Sequence, residues 1–227
     1  MDQRHFDIEL TQLKEKLLSM AAKVEAQIKQ SIEAVTKKDA ETARAIFGLD
    51  KEIDRMEIKI EEEAVSLIAR HQPAASDLRF LVGVIKINND LERIGDHGVN
   101  IAQSAIALAG QPDVKPLIDI PRMAELAVTM LLDSLDSFIS SNPEKARDVC
   151  IRDDQVDSLK RQILRDLSAI MMEKPDTITR GMDLILISRN LERIADLATN
   201  ISEETIYICQ AKVIKHRIDQ KPIDDRQ

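Results

Sequence analysis

Aromatic residues, cysteine, glycine and proline are all scarce in this sequence. Aromatic side chains make up 2% of the 227 residues, tryptophan is absent, and there are only six glycines and seven prolines. The apolar residues are mostly leucine, isoleucine, alanine and valine, and 32% of all residues are charged. This combination suits long helices better than sheets. We therefore predict an all-α fold without a sheet.

The sequence also lacks the signs of a disulfide framework, a signal peptide and a membrane span. Cys150 and Cys209 are the only cysteines, and we expect both to be ordinary buried thiols in a reducing compartment. No long apolar run opens the chain, and no window approaches the roughly 18 continuous apolar residues of a spanning helix. These features predict a cytoplasmic protein, with docking on a membrane protein left open.

An excess of negative charge argues against nucleic acid as a partner. The formal net charge is −8. No cluster of Lys and Arg interleaved with aromatic residues stands out, whereas a nucleic-acid surface usually carries one. We therefore predict no direct contact with DNA or RNA.

Apolar residues recur at alternating steps of three and four through most of the chain, which is typical of packed helices. In the first half this pattern predicts three helices. Asp39 is the expected N-cap of the second, Pro73 should end it, and the third should begin near Ser76. The proline-rich stretch from Gly110 to Pro121 interrupts the pattern and is interpreted as a linker.

The second half repeats the first. The sequence LERIGDHGVNI, which begins at Leu91, returns as LERIADLATNI at Leu191. A further match begins at Asp39 and at Asn142, where Pro143 is expected at the first helical position. Since polar as well as apolar residues recur, we interpret the chain as a duplicated three-helix unit. The predicted boundaries are 1–112 and 113–214 for two antiparallel three-helix bundles, six long helices in all, and 215–227 for a polar, flexible tail.

Each of four predicted helices carries a pair of acidic residues spaced four apart that matches a pair in the other half, and a spacing of four places two side chains on the same helix face. A hairpin around Pro73 would bring two such pairs to one level, because their midpoints lie 21 residues before and 21 residues after it. A second hairpin near Lys174 and Pro175 would do the same in the other half. The eight residues are Asp50, Asp54, Glu92 and Asp96 in the first half and Asp153, Asp157, Glu192 and Asp196 in the second.

Carboxylates that converge from neighbouring helices can bind a metal ion, and their hard oxygen ligands suit Mg, Ca, Mn or Fe. We therefore predict two metal sites from these eight residues. The alternative is a solvated acidic surface, since Glu92 and Asp96 fall on outward positions of the apolar repeat. Asn100 and Asn200 extend the acidic rows by one turn and are candidate metal or supporting ligands, or else interhelical hydrogen-bond partners.

Three further residues of the repeated motif have ordinary interpretations. His97 is a candidate ligand or a surface imidazole, but its counterpart is Leu197, so both copies cannot require an imidazole. Arg93 and Arg193 are expected to pair with carboxylates or with adjacent helices. No Gly-rich loop or helix-start cradle accompanies these arginines, so the sequence does not predict a phosphate site there.

Up to about Lys212 the chain resembles the PhoU family, the bacterial accessory and regulatory proteins of the phosphate-specific transport system. The resemblance rests on LERIGDHGVNIA and LERIADLATNISEE, which occur about one hundred residues apart within two tandem E(D)xxxD-bearing bundles. It implies two tandem three-helix bundles. It also implies a cytosolic negative regulator that is not an enzyme. Such a regulator would link the ATPase component of a phosphate ABC transporter to a sensor histidine kinase. Some members bind iron or zinc clusters, so the resemblance implies iron or zinc at the eight carboxylates. Together with the donor chemistry above, the candidate ions are Fe, Zn, Mn or Mg.

Two other functions remain as alternatives. One is a carboxylate-bridged metalloenzyme such as a di-iron oxidase, but no Glu here is followed three residues later by the His that such helical sites use. The other is a metal-free helical scaffold or adaptor whose acidic rows only keep the surface soluble. An exposed helical face also makes a homodimer reasonable.

Overall fold

The computed structural model describes residues 2–210, and six long helices account for most of them. In chain order they are α1 (Asp2–Lys37), α2 (Ala40–His71), α3 (Ala75–Leu108), α4 (Asp119–Ile139), α5 (Pro143–Glu173) and α6 (Ile178–Gln210). A single 3-10 turn, Pro175–Thr177, joins α5 to α6. No strand occurs within residues 2–210, so the all-α prediction is confirmed. The predicted tail, 215–227, lies outside the described residues.

The helices begin and end largely where the turn residues predicted. One carboxylate oxygen of Asp39 accepts hydrogen bonds from the backbone amides of Glu41 and Thr42, at 2.9 and 3.1 Å. The Asn142 side chain caps α5 in the same way, with Pro143 at its first position. These contacts satisfy amide groups that the first helical turn leaves without a partner.

The predicted linker was wrong at its C-terminal end. We expected it to extend to Pro121, but α4 already begins at Asp119 and contains this proline in its first turn. Proline is tolerated there because the amide groups of the first turn have no acceptor within the helix. The connection between the two halves is therefore residues 109–118.

The two bundles, α1 to α3 and α4 to α6, share one hydrophobic core. Helix α3 packs along α6, and α1 also contacts α4, whereas α2 and α5 each contact only helices of their own bundle within residues 2–210. The α3 and α6 helices run antiparallel, since Lys86 bonds to Glu204 while His97 bonds to Asn190. Phe80 of α3 stacks on Phe138 of α4 with ring centroids 5.0 Å apart.

Two glycines let α1 approach α3 closely. A Cβ atom added at Gly95 would lie 3.1 Å from Oε1 of Gln27, and one at Gly98 would lie 3.4 Å from the Cγ of the same side chain. The hydroxyl group of Ser31 lies 2.9 Å from the Gly98 carbonyl oxygen. This close contact sets the depth at which α1 lies behind the acidic residues of α3.

The two cysteines differ in their surroundings. Cys150 is buried, and burial raises the pKa of its thiol to about 12. Cys209 is exposed near the end of α6, so the prediction of two buried thiols was wrong for this residue. Cys209 lies in the turn after Ile206, which is buried in the core, and the last two residues of α6 are exposed.

None of the helices within residues 2–210 combines the length with the apolar content that crossing a membrane requires.

Candidate carboxylate centres

The first four predicted carboxylates lie together between α2 and α3. Asp50 and Asp54 are on α2, and Glu92 and Asp96 are on α3. Burial raises the pKa of Glu92, and repulsion from the other three members, led by Asp96, raises it further. The helical hairpin therefore brings the two pairs to the same level, as the spacing around Pro73 predicted.

Asp50 is the member of the first cluster that contacts α1, through a hydrogen bond from Gln27. Burial raises the pKa of its carboxyl group, repulsion from Asp54 and Asp96 adds to this, and a hydrogen bond from Gln27 opposes it. The Gln27 amide nitrogen donates to Asp50 Oδ1 over 3.2 Å.

Sequence reasoning missed Gln27, although it is fully buried. Its other polar atom, Oε1, has no hydrogen-bond partner in the described part of the chain. The available signal was a polar residue three positions after Val24, where the apolar pattern of α1 expects a core side chain. A buried polar atom without a hydrogen-bond partner is uncommon in folded proteins, and a bound water or ion is one explanation for it.

The second four carboxylates form the equivalent cluster between α5 and α6. Burial raises the pKa of Asp153 to about 6, and the charges of Asp196, Asp157 and Glu192 contribute. The pKa of Asp196 is also raised by burial and by Glu192, while Arg193 acts in the opposite direction. The arrangement of the first half is thus repeated in the second.

The clusters differ in their counter-charges. In the second, Lys160 Nζ lies 2.7 Å from Glu192 Oε1, and an Arg193 nitrogen lies 2.9 Å from Asp196 Oδ2. Arg161 lies 3.6 Å from Asp157. In the first cluster no carboxylate forms an ion pair with a Lys or Arg of residues 5–210. The first cluster is therefore the more negative one.

Glu192 does not occupy the solvated surface that the charged-face alternative requires. It is only 9% exposed, and its Oε2 has no hydrogen-bond partner among the described residues. The Arg193 Nε atom is 3.8 Å from this oxygen, beyond hydrogen-bonding distance. An orphaned, buried carboxylate oxygen is expensive unless a cation or a donor reaches it.

The donor set suits a hard cation, although the side chains do not close around one. Carboxylate oxygens from two helices are appropriate ligands for Mg, Mn or Fe, and Glu192 offers an open oxygen. Within residues 5–210, however, no three His, Cys, Asp or Glu side chains converge tightly enough to hold an ion as they stand. Coordination would require carboxylate rotamers to turn inward.

The remaining motif residues lie mainly at the contact between the bundles. His97 Nδ1 is 2.9 Å from Asn190 Oδ1. His97, Asn190 and Asn100 line one cleft between α3 and α6, and Asn200 lines another. Arg93 pairs with Asp90 and Arg193 with Asp196, which confirms the prediction of carboxylate partners.

The sequence and the fold both match known proteins over nearly the whole chain. The PhoU domain family matches it twice, over residues 17–105 and 120–205. A protein of Aquifex aeolicus named "Phosphate-specific transport system accessory protein PhoU homolog" is 40% identical over 92% of this chain and 95% of its own length. A homolog with the same name in Clostridium acetobutylicum is 38% identical over 94% and 98%.

Two solved structures share the fold. The crystal structure of PhoU from Pseudomonas aeruginosa superposes with a TM-score of 0.88 at 35% identity, covering 91% of this chain and all of that one. The phosphate transport system regulatory protein PhoU from Streptococcus pneumoniae gives a TM-score of 0.86 at 29% identity, over 92% and 98%. With two matches to the domain and relatives of this similarity over its length, the chain belongs to the PhoU family.

Proposed function

We propose that this protein is a cytoplasmic, non-enzymatic negative regulator of phosphate uptake and of the phosphate-starvation response. The observation that carries the proposal is the similarity over nearly the full chain to proteins named accessory proteins of the phosphate-specific transport system. Its partners would be the ATPase component of a phosphate ABC transporter and a sensor histidine kinase. Regulation would proceed by a change of protein partner, for which the exposed surfaces of α2 and α5 are available. The proposal includes formation of a homodimer.

We further propose that each carboxylate cluster binds a metal ion, with Fe, Zn, Mn or Mg as candidates. A bound cation would supply positive charge to the first cluster, which has no ion pair with a Lys or Arg of residues 5–210, and would add to the counter-charges of the second. Asp50 and Asp54 would contribute from α2 and Glu92 and Asp96 from α3, so the pair of helices would be held at a fixed spacing. The Gln27 amide would orient Asp50 from the side of α1.

The regulatory role is tested by deleting the gene and measuring transcripts of phosphate-starvation genes in phosphate-rich medium. We expect expression to rise several-fold, because the negative signal is lost, and to return when the wild-type gene is supplied. A complementing Glu62→Gln variant serves as a surface control, since Glu62 is exposed and outside both clusters. Unchanged expression in the deletion strain would contradict the proposed function.

Metal binding is tested by elemental analysis of gently purified protein. We expect wild type to retain metal, and Glu92→Gln and Glu192→Gln each to lose part of it, because each removes a ligand from one cluster only. Glu62→Gln should retain the full amount. If wild type holds no metal after reloading, the alternative of a metal-free adaptor is supported, and the acidic rows then serve helix packing or partner contact.

A further inference from the structure

The contact between α3 and α6 contains two clefts that are related by the internal repeat. Each cleft combines the middle of one of these helices with the C-terminal part of the other. Positions one hundred residues apart occupy corresponding places in the two clefts. The corresponding pairs are Lys86 and Leu186, Asn89 and Arg189, Asp90 and Asn190, Arg93 and Arg193, Asn200 and Asn100, Glu203 and Gln103, and Glu204 and Ser104.

The two clefts have opposite electrostatic character. Five carboxylates and two cationic side chains line the first, namely Glu57, Glu61, Asp90, Glu203 and Glu204 with Lys86 and Arg93. In the second, two arginines face a single carboxylate, Asp183. The side chains that line the second cleft thus carry two positive charges against one negative charge, and Arg193 is in addition paired with Asp196 outside the lining. Burial raises the pKa of Asp183.

The second cleft also offers many hydrogen-bond donors. This cleft is open to solvent and has a volume of about 470 Å³, with Asn100, Gln103 and Ser104 on its α3 side. His97 and Asn190 close one part of it by bonding to each other, and the Asn190 amide nitrogen donates to the Leu186 carbonyl oxygen over 2.9 Å. This second bond leaves the Asn190 oxygen to accept from His97.

Arg189 is the side chain that gives the second cleft its unbalanced charge. It forms no ion pair with any residue in the range 5–210, and it is exposed along the cleft. Arg193 lies one turn further along the same face of α6, so the two positive charges repel. An anion between them would relieve this repulsion, and guanidinium groups are well suited to bind oxyanions in a bidentate way.

We propose that this second cleft binds a small oxyanion of the phosphate class between Arg189 and Arg193, with the Asn100, Gln103 and Ser104 side chains as additional donors. Its volume exceeds that of a single tetrahedral ion, so both a free ion and a small phosphomonoester fit. The equivalent first cleft lacks this capacity, because Asn89 replaces Arg189 and the glutamates at 203 and 204 replace an amide and a hydroxyl.

The proposed site is linked to the second carboxylate cluster through one residue. Arg193 lines the cleft and also donates to Asp196 over 2.9 Å. The guanidinium is therefore shared between a carboxylate of the cluster and the proposed anion. Removing the charge of Asp196 frees Arg193 for the cleft, so anion affinity should rise.

The test is calorimetric titration of the full chain with inorganic phosphate, in chelator-containing buffer at fixed ionic strength. We expect Arg189→Gln to weaken binding at least tenfold and Arg193→Gln to weaken it to a similar extent. Arg165→Gln removes the same charge from an exposed position on α5 that has no ion pair within residues 5–210, and Arg93→Gln removes the repeat equivalent of Arg193. Both controls should leave the affinity within twofold of wild type.

Two further titrations identify the ligand and the linkage. Glycerol 3-phosphate distinguishes a phosphomonoester from the free ion, according to which of the two binds more tightly. Asp196→Asn should bind phosphate several-fold more tightly than wild type. If Arg189 had only a structural role, phosphate affinity would not fall in Arg189→Gln and rise in Asp196→Asn.

Absence of measurable binding of both ligands to wild type would overturn the proposal. An equal loss in Arg165→Gln and Arg189→Gln would also overturn it, since binding would then reflect only the net charge. Unchanged affinity in Asp196→Asn would overturn the linkage through Arg193. Thermal melts of each variant establish that the fold is retained. None of these results depends on the transporter or the kinase, so they are separate from the test of the regulatory role.

Discussion

At the scale of single residues, Asp153 shows how the fold changes the chemistry of a carboxyl group. Its pKa is raised from 3.8 to about 6 because it is partly buried and surrounded by Asp196, Asp157 and Glu192. The folded state therefore binds a proton more tightly than the unfolded state does. This contribution to stability is complete below pH 3.8 and is lost as the pH rises through about 6.

We expect Asp153→Asn to stabilise the metal-free protein at pH 7.5 by on the order of 1 kcal/mol, after allowance for the partial exposure of the group. The gain over wild type should shrink as the pH falls to 5, where wild-type Asp153 is largely protonated. Urea unfolding at both pH values, in the presence of chelator, measures the difference. Asp154→Asn, an exposed neighbour, is the matched control and should not show this trend.

A gain that is equal at both pH values would contradict this explanation. Metal provides a second check on the same residue. With a cation in the cluster, Asp153 would be a ligand, so Asp153→Asn should then destabilise relative to wild type. The sign of its effect should therefore reverse between chelator and metal.

At the scale of helices, the two N-caps at Asp39 and Asn142 make equivalent contacts with different chemistry. Each side chain accepts from two backbone amides of the following helix. Hydrogen bonds from Thr42, first from its side chain and then from its backbone amide, lower the pKa of Asp39. The Asp39 cap is therefore strongest when the carboxyl group is ionised, whereas the Asn142 cap has no titratable group.

We expect Asn142→Ala to lower the free energy of unfolding by about 1 kcal/mol at every pH, because α5 loses its cap. Asp39→Ala should destabilise the protein at neutral pH. In the wild type, folding lowers the pKa of Asp39. The cap therefore stabilises the protein above the pKa that Asp39 has in the unfolded chain, and this stabilisation is lost as the pH falls through the pKa of the folded protein. Urea unfolding of the wild type and both variants from pH 7 down to pH 3 measures the destabilisation at each pH. If Asp39→Ala and Asn142→Ala showed the same pH dependence, the ionised cap at Asp39 would be contradicted.

Helices and caps were predictable from the sequence because both depend on local spacing. Asp39, Asn142 and Pro143 occupy their expected positions, and so does the turn at Pro175. The acidic pairs were also predictable as neighbours, because two straight helices joined by a short turn leave little freedom in register.

Contacts between distant helices were not predictable in this way. The Gln27 contact with Asp50 requires α1 to lie against the hairpin at a depth that Gly95 allows. The ion pairs that distinguish the second cluster depend on Lys160 and Arg193, whose rotamers follow from packing. The clefts form only once α3 and α6 cross, and no local pattern encodes that crossing.

At the scale of the whole molecule, Lys86 and Glu204 connect the bundles through an ion pair whose carboxylate is buried. Lys86 Nζ lies 2.9 Å from both carboxylate oxygens of Glu204, whose side chain is only 7% exposed. The lysine is about half exposed and also lies over the Tyr207 ring. Loss of the cation would leave a desolvated carboxylate at the interface.

We expect Lys86→Met to lower the free energy of unfolding by about 2 kcal/mol, below the usual cost of breaking a fully buried pair because the lysine is partly solvated. The double variant Lys86→Met, Glu204→Gln should recover at least half of this loss. Lys23→Met, which breaks the exposed Lys23–Glu52 pair, is the control and should cost under about 0.5 kcal/mol. Urea unfolding monitored by circular dichroism measures these variants together with the single variant Glu204→Gln. Single effects of Lys86→Met and Glu204→Gln that add up to that of the double variant would refute the coupling.

The antiparallel pairing of α3 with α6 relates the two halves of the chain approximately by a twofold axis. A single three-helix unit with such a surface would cover it by binding a second copy of itself, as in isologous dimers. In a dimer of that kind, every mutation would appear twice and alter both halves at once. Joined in one chain through residues 109–118, the halves accumulate mutations separately, so one can specialise while the other retains the original chemistry.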